Sequence, residues 1–204
     1  TQRMLHICRN SGMTSLHTLS RTRAALFPMM AEFGEIIESR QVQTTRLDDI
    51  DTGPVDCLKM DIQGGELDVL RYGRGRLSKA VAIITEVSFV PLYAGQITFG
   101  EMDMELRHMG FMPHCFAEAK VWPLATKTQV PNASPHQLLE ADVVYIRDLT
   151  TTMGVEQWKH LALIAHHVCG SFDLAMRCVE ELAKFEDAVP SDAPDQYRQM
   201  LEAM

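Results

Sequence analysis

The sequence is short of several features that mark common classes of protein. Its five cysteines are an odd number, lie far apart and include no C-x-x-C pair. That pattern argues against a disulfide framework and favours reduced thiols in the cytoplasm. No apolar run approaches the roughly 18 residues of a membrane-spanning helix, and no signal peptide opens the chain. We therefore expect a cytoplasmic protein without a membrane partner.

Positive charge is also scarce. Nineteen lysines and arginines face 27 acidic residues, which gives a formal net charge of −8. A nucleic-acid-binding surface needs clustered cations to displace counterions from the phosphate backbone, so we expect no nucleic-acid partner. The apolar fraction of 46% and the charged fraction of 23% are those of an ordinary globular protein that buries a core.

The order of the apolar segments predicts an α/β fold. Residues 55–60 form a compact apolar run, typical of a strand inside a parallel sheet. Residues 66–77 carry leucines at helical spacing, and residues 81–90 are rich in the β-branched side chains that favour strands. Strand, helix and strand in this order predict a βαβ unit. The pattern then becomes all-helical, which predicts a domain at 1–150 followed by a helical appendage at 151–204.

The remaining segments give weaker patterns. Residues 3–8 predict a short strand, and residues 19–39 predict a helical region interrupted by Pro28. Residues 111–116 and 120–124 predict two short strands. They complete the expected α/β domain without adding a second one.

Polar residues follow the first strand of the βαβ unit. Asp61, Gln63 and Gly64 come directly after the apolar run, and Glu86 lies near the end of the next strand. Ligands of open α/β sheets bind outside the carboxyl ends of the strands. Asp61 and Glu86 are therefore expected to share one crevice, where Gly64 lets the backbone turn sharply.

A scaffold role competes with this interpretation. Glycines are common in any connection between a strand and a helix, and Glu66 suits the first turn of a helix. Glu86 has Lys59 available as an ion-pair partner. From spacing alone the two roles are equally supported for Asp61, and the scaffold role is favoured for Glu86 and Glu66.

Several separated segments resemble the FkbM family of S-adenosylmethionine-dependent methyltransferases. They are Leu47-Asp48-Asp49, VDCLKMDIQGGELDVL at 55–70, IITEVSFVPLYAGQ at 83–96 and EADVVYIRD at 140–148, with Ser15 to His17 similar to a Ser-Ser-Leu segment of the family. The resemblance covers roughly residues 3–148, and its segments occur in the family's order.

The resemblance implies a Rossmann-like methyltransferase fold that transfers a methyl group from S-adenosylmethionine to an oxygen. The acceptor it implies is a small-molecule or glycan hydroxyl. The residues it assigns are Asp61 and Glu86 for catalysis, Asp61, Gln63 and Gly64 for the cofactor, and Glu66 and Tyr93 for the substrate. No metal is expected, because His166 and Cys169, three residues apart, have no second matching pair.

One part of the family's pattern is missing from the sequence. Methyltransferases of this fold bind the cofactor through a glycine-rich loop after the first strand, whereas the one G-x-G here, Gly73-Arg74-Gly75, follows a helix. We therefore expect a fold that is incomplete at the N-terminus and leaves an edge on the strand at 55–60. The chain alone is then expected to bind S-adenosylmethionine poorly and to be inactive.

Two further alternatives stay open at this point. The chain is either the later part of a methyltransferase or a non-catalytic remnant that serves as an interaction module. The appendage at 151–204 is expected either to pack on the domain or to form a homodimer.

Overall fold

The computed structural model describes residues 1–128, 130–131 and 134–204. The strands are β1 (Gln2–Cys8), β2 (Ile36–Gln43), β3 (Cys57–Met60), β4 (Ala82–Ser88), β5 (Phe111–Trp122) and β6 (Gln137–Arg147). The α-helices are α1 (Arg21–Ala24), α2 (Met30–Phe33), α3 (Glu66–Arg71), α4 (Phe99–His108), α5 (Val155–Ile164), α6 (Phe172–Leu182) and α7 (Ala193–Glu202). Short 3₁₀ helices lie at Ser11–Met13, Leu47–Asp49 and Arg76–Lys79, and a π-helical turn covers Ala165–Cys169.

Four of the strands form a mixed sheet in the order β3-β4-β6-β5. β3 and β4 are parallel, whereas β6 runs antiparallel to both β4 and β5. β4 is buried along its whole length, as its run of β-branched residues predicts. The α/β class and the predicted βαβ unit are therefore confirmed.

Helices cover both faces of this sheet. Side chains alternate along β4, so Ile83 packs with Leu70 of α3 and Leu106 of α4. Ile84 faces the opposite way and packs with Trp158 and Leu161 of α5. The predicted C-terminal appendage thus lies directly on the sheet. Among the described residues, no helix is long and apolar enough to cross a membrane.

The strands β1 and β2 form a separate antiparallel ribbon. The ribbon and the short helices α1 and α2 share an apolar cluster with the segment that follows β4. Phe27 and Met30 in this cluster pack with Leu92 and Tyr93. The N-terminal segment therefore covers the carboxyl end of β4.

The structure corrects three of the sequence predictions. The helical region predicted at 19–39 is wrong in its last part, because Ile36 begins β2 and pairs with Cys8 of β1. The helix predicted at 66–77 ends at Arg71 and gives way to a 3₁₀ helix. The two strands predicted within 111–124 are one strand, because β5 accommodates shifts of register against β6 without ending.

β3 lies at one end of the sheet order. Its Cys57 and Lys59 are exposed, whereas Met60 is buried. The predicted exposed edge on this strand is therefore present in the sheet that the described residues form.

Candidate functional site

The loop after β3 makes an unusually tight turn. Gln63 and Gly64 both have left-handed backbones, with φ of +57° and +101°. Glycine adopts this conformation freely, but glutamine does not. An unfavourable backbone held in place by its surroundings is a feature that recurs at functional sites.

Glu66 fixes this turn from inside. Its carboxylate accepts hydrogen bonds from the backbone amides of Ile62 at 2.9 Å and Gly64 at 3.0 Å. Glu66 is 5% exposed. Both oxygens are thus engaged by the loop itself, and the predicted contact of Glu66 with a substrate stays a prediction.

The side-chain amide of Gln63 joins the predicted site residues. Its Nε2 donates to Asp61 Oδ1 at 2.7 Å and to Glu86 Oε2 at 3.3 Å. Its Oε1 accepts from the hydroxyl of Tyr93 at 2.8 Å. The backbone oxygen of Gln63 accepts from Ser15 Oγ at 2.7 Å. The orientation of this amide is therefore set from both ends.

Tyr93 is a buried donor in this arrangement. Only 3% of it is exposed, and burial raises the pKa of its hydroxyl. The phenol therefore keeps its proton at neutral pH. Its hydroxyl also lies 3.2 Å from the backbone oxygen of Met13, which competes with Gln63 for the same hydrogen.

Glu86 is a buried carboxylate at the inner end of the group. Its side chain is 5% exposed. Burial first, and then the charge of Glu140, raise the pKa of Glu86 to about 8, although hydrogen bonding from Lys120 opposes the rise. Burial alone would lower the pKa of Lys120, but the two carboxylates outweigh it and raise that pKa.

Lys120 bridges two acids on the neighbouring strands β4 and β6. Its Nζ donates to Glu86 Oε1 at 2.9 Å and to Glu140 Oε1 at 3.1 Å. The alternative ion pair between Lys59 and Glu86 is wrong, because Lys59 Nζ instead lies 3.6 Å from Asp142 Oδ2. The cation that accompanies Glu86 thus comes from β5.

Asp61 lies at the exposed end of the group. One of its oxygens, Oδ1, is held by Gln63. Within the described residues, Oδ2 accepts no hydrogen bond from another side chain or from the backbone. An oriented carboxylate with one free oxygen is suited to accept a hydrogen bond from a hydroxyl group and to take its proton.

The sequence predictions named most, but not all, of this constellation. Gln63 contacts Asp61, Glu86 and Tyr93 directly, while Gly64 and Glu66 form the turn that carries it. Lys120 and Glu140 were missed, because their meeting depends on the irregular register between β5 and β6. Ser15 gave a signal, since it belongs to the segment similar to Ser-Ser-Leu.

The Gly73-Arg74-Gly75 segment has a packing role. A Cβ on Gly73 would lie 2.7 Å from Leu47 Cδ2 and 2.7 Å from the Val69 oxygen. Asp48 accepts from the amide of Arg76 at 2.8 Å and so caps the 3₁₀ helix. These contacts connect the Leu47-Asp48-Asp49 segment to the end of α3.

Comparison with known families gives a match over the first part of the chain. The Methyltransferase FkbM domain matches residues 4–113, which is more than half of the chain and includes the loop after β3. The chain belongs to the FkbM methyltransferase domain family. The predicted resemblance is thereby confirmed. No curated protein and no solved structure matches the chain.

The match ends inside β5, before Lys120. The segment that it covers carries Asp61, Gln63, Glu86 and Tyr93. The other two residues of the candidate site, Lys120 on β5 and Glu140 on β6, therefore lie outside the matched segment.

Proposed function

We propose that this FkbM domain is part of a Rossmann-like, S-adenosylmethionine-dependent O-methyltransferase. The proposed acceptor is a hydroxyl group of a small molecule or a glycan. The observation that carries the proposal is Asp61, an exposed carboxylate that Gln63 orients at the carboxyl end of β3. Such strand ends are where open α/β sheets bind their ligands.

The residues present fit the acceptor half of such a site and the charge of the cofactor. S-adenosylmethionine, when bound, supplies a methyl group carried on a positively charged sulfur. Even with Glu86 protonated, the carboxylates of Asp61 and Glu140 outnumber Lys120, the lysine that contacts the group, and an excess of negative charge favours a cationic ligand. Asp61, Gln63 and Gly64 are the residues we propose to contact the cofactor.

Asp61 performs the proton chemistry in this proposal. Its free oxygen accepts a hydrogen bond from the acceptor hydroxyl, orients it and takes its proton as the methyl group is transferred. Gln63 keeps the other oxygen engaged, which prevents the carboxylate from rotating. Tyr93 does not act as a base, because burial raises its pKa and keeps it protonated.

Glu86 supports this arrangement from below the surface. It is too buried to meet an acceptor without movement of its neighbours, and its oxygens are engaged by Gln63 and Lys120. We propose that Glu86 anchors the amide of Gln63. Glu66 braces the turn in the same way through the backbone.

The test is methyl transfer by the product of the longest reading frame that contains these 204 residues. Formation of S-adenosylhomocysteine is measured against a panel of hydroxyl acceptors. Asp61→Asn, which keeps the shape but not the basicity, is expected to slow the transfer by a factor on the order of 100 or more. Asp68→Asn, at an exposed position on α3, is the matched control and is expected to retain full activity.

The outcome separates the two functions considered for the chain. Transfer that depends on Asp61 supports the enzyme. Equal activity of the Asp61→Asn variant and the wild-type protein would remove Asp61 from the mechanism. Absence of both transfer and cofactor binding would favour a non-catalytic interaction module.

A further inference from the structure

The residues that surround Glu86 come from three neighbouring strands. Glu86 lies on β4, Glu140 on β6 and Lys120 on β5, and in the sheet register Lys120 is opposite Glu140. The ammonium of Lys120 contacts both carboxylates. A lysine between two acids lowers their mutual repulsion, which is strongest where burial has removed water.

A continuous chain of contacts leads from Lys120 to the exposed carboxylate. Lys120 holds one oxygen of Glu86 at 2.9 Å, and Gln63 Nε2 donates to the other at 3.3 Å. The same nitrogen donates to Asp61 Oδ1 at 2.7 Å. Each oxygen of Glu86 thus accepts one donor, an arrangement that suits the ionised carboxylate.

The orientation of the Gln63 amide depends on the charge of Glu86. A proton on either oxygen of Glu86 competes with one of the two donors that it now accepts. Turning the amide over would place its oxygen against the carboxylate oxygens of Asp61 and Glu86, and an ionised carboxylate has no hydrogen to give. The present orientation is therefore favoured when Glu86 is ionised.

We propose that Lys120 is a positioning residue of this site, which acts through Glu86 and Gln63 to hold Asp61 toward the acceptor. The proposal rests on the proposed methyl transfer. Lys120 lies outside the segment that matches the family domain. The charged and titratable groups around Glu86 are Asp61 from the loop after β3, Tyr93 from the loop after β4, Lys120 from β5, and Glu140 and Asp142 from β6.

The first test follows the charge of Glu86 by carboxyl ¹³C NMR titration of the 204-residue chain. Removing a cation at hydrogen-bond distance raises the pKa of a carboxylate by about 1–3 units. Lys120→Met is therefore expected to move the Glu86 midpoint upward by at least about one unit, and Lys120→Arg is expected to restore it. Lys159→Met, which removes a partly buried lysine paired with Glu156 on α5, is the control and is expected to leave the midpoint unchanged.

A second variant changes the midpoint in the opposite direction. Glu140→Gln removes the like charge beside Glu86 but leaves Lys120 in place, so the Glu86 midpoint is expected to fall. The side-chain amide signals of Gln63 and the carboxyl signal of Asp61 are expected to report the same midpoint in every variant. This variant decides the matter if Lys120→Met fails to fold.

The last readout is the pH profile of methyl transfer by the product of the longest reading frame. Lys120→Met is expected to shift the rise of kcat to higher pH by the same interval as the Glu86 midpoint. An unchanged Glu86 midpoint, or Gln63 and Asp61 signals that do not follow it, would overturn the proposal. Absent methyl transfer alongside the expected NMR shifts would instead contradict the proposed function and leave the coupling of Lys120 to Asp61 established.

Discussion

At the scale of single residues, the site is a set of polar groups that hold one another in place. Glu66 accepts hydrogen bonds from two backbone amides of a turn in which Gln63 and Gly64 have left-handed backbones. Gln63 then has a fixed position from which to contact Asp61, Glu86 and Tyr93. Glu66 and Gln63 thus act first by fixing the positions of the groups around them.

Glu66→Gln is expected to destabilise the protein. The neutral amide offers one acceptor where the carboxylate offers two, so a charge-assisted hydrogen bond is lost and an amide stays unsatisfied. The free energy of unfolding is expected to fall by about 2 kcal/mol, measured by chemical denaturation. Glu156→Gln, in an exposed pair with Lys159, is the control and should change it by less than about 0.5 kcal/mol.

The pH dependence of stability tests the environment of Glu86. Its pKa is raised from 4.5 to about 8 in the folded protein, so the folded state holds the proton more tightly than the unfolded state. This contribution is fully present below pH 4.5 and is lost as the pH rises to about 8. Glu86→Gln lacks it and is expected to gain stability relative to the wild-type protein across that interval.

The size of the gain is expected to exceed about 1.4 kcal/mol, which corresponds to one pKa unit. Denaturation curves of both proteins at pH 5 and pH 8 measure it. A difference between the two proteins that is the same at both pH values would show that Glu86 titrates normally.

At the scale of the elements, two sets of contacts outside the site stabilise the sheet. Arg147 at the end of β6 donates to the backbone oxygens of Ala80 at 3.0 Å and Met109 at 2.9 Å, and its guanidinium lies 4.0 Å from the centre of the Phe111 ring. The second set is apolar: α5 and α6 pack around Leu161 on the face of the sheet that α3 and α4 do not cover.

Arg147→Lys is expected to lose most of the hydrogen bonds that Arg147 donates to these backbone oxygens. Lysine keeps the charge, but its single ammonium cannot reach carbonyls on both sides as the planar guanidinium does. We expect the free energy of unfolding to fall by about 2 kcal/mol, and thermal denaturation measures the loss. Retention of wild-type stability would mean that these carbonyls find water or other donors at no cost.

The packing of the C-terminal helices is tested by two leucines of one helix. Leu161 is fully buried, whereas Leu163 is 57% exposed. Leu161→Ala is expected to cost about 3 kcal/mol through lost contacts and a cavity, and Leu163→Ala less than about 1 kcal/mol. Equal effects of the two substitutions on chemical denaturation would contradict the packing of α5 on the sheet.

The elements also show what the sequence alone was able to predict. The β-branched run of β4 carries a strong local pattern and was located correctly, as was the start of α3, although that helix ends at Arg71 and not at residue 77. The start of β2 at Ile36 was missed, because its pairing with Cys8 bridges 28 residues and leaves no local signal. The site divides in the same way: Asp61 and Glu86 follow strand ends, whereas Lys120 reaches Glu86 only through tertiary pairing across the sheet.

At the scale of the whole molecule, the family match covers Asp61, Gln63, Glu86 and Tyr93 of the candidate site. The FkbM domain match includes the loop after β3, and the sheet order leaves β3 at one end. We expect the cofactor to require structure beside that edge, so that the 204 residues alone bind it poorly. In the proposed function, Asp61 at the carboxyl end of β3 supplies the acceptor side of the site.

The most direct test is calorimetric titration of S-adenosylmethionine into two proteins, the 204-residue chain and the product of the longest reading frame that contains it. We expect saturable binding by the reading-frame product, weakened by Asp61→Asn but not by Asp68→Asn, and little or no binding by the 204 residues. Absence of binding by both proteins would contradict the methyltransferase assignment of function. Tight binding by the 204-residue chain would contradict the claim that its cofactor site is incomplete.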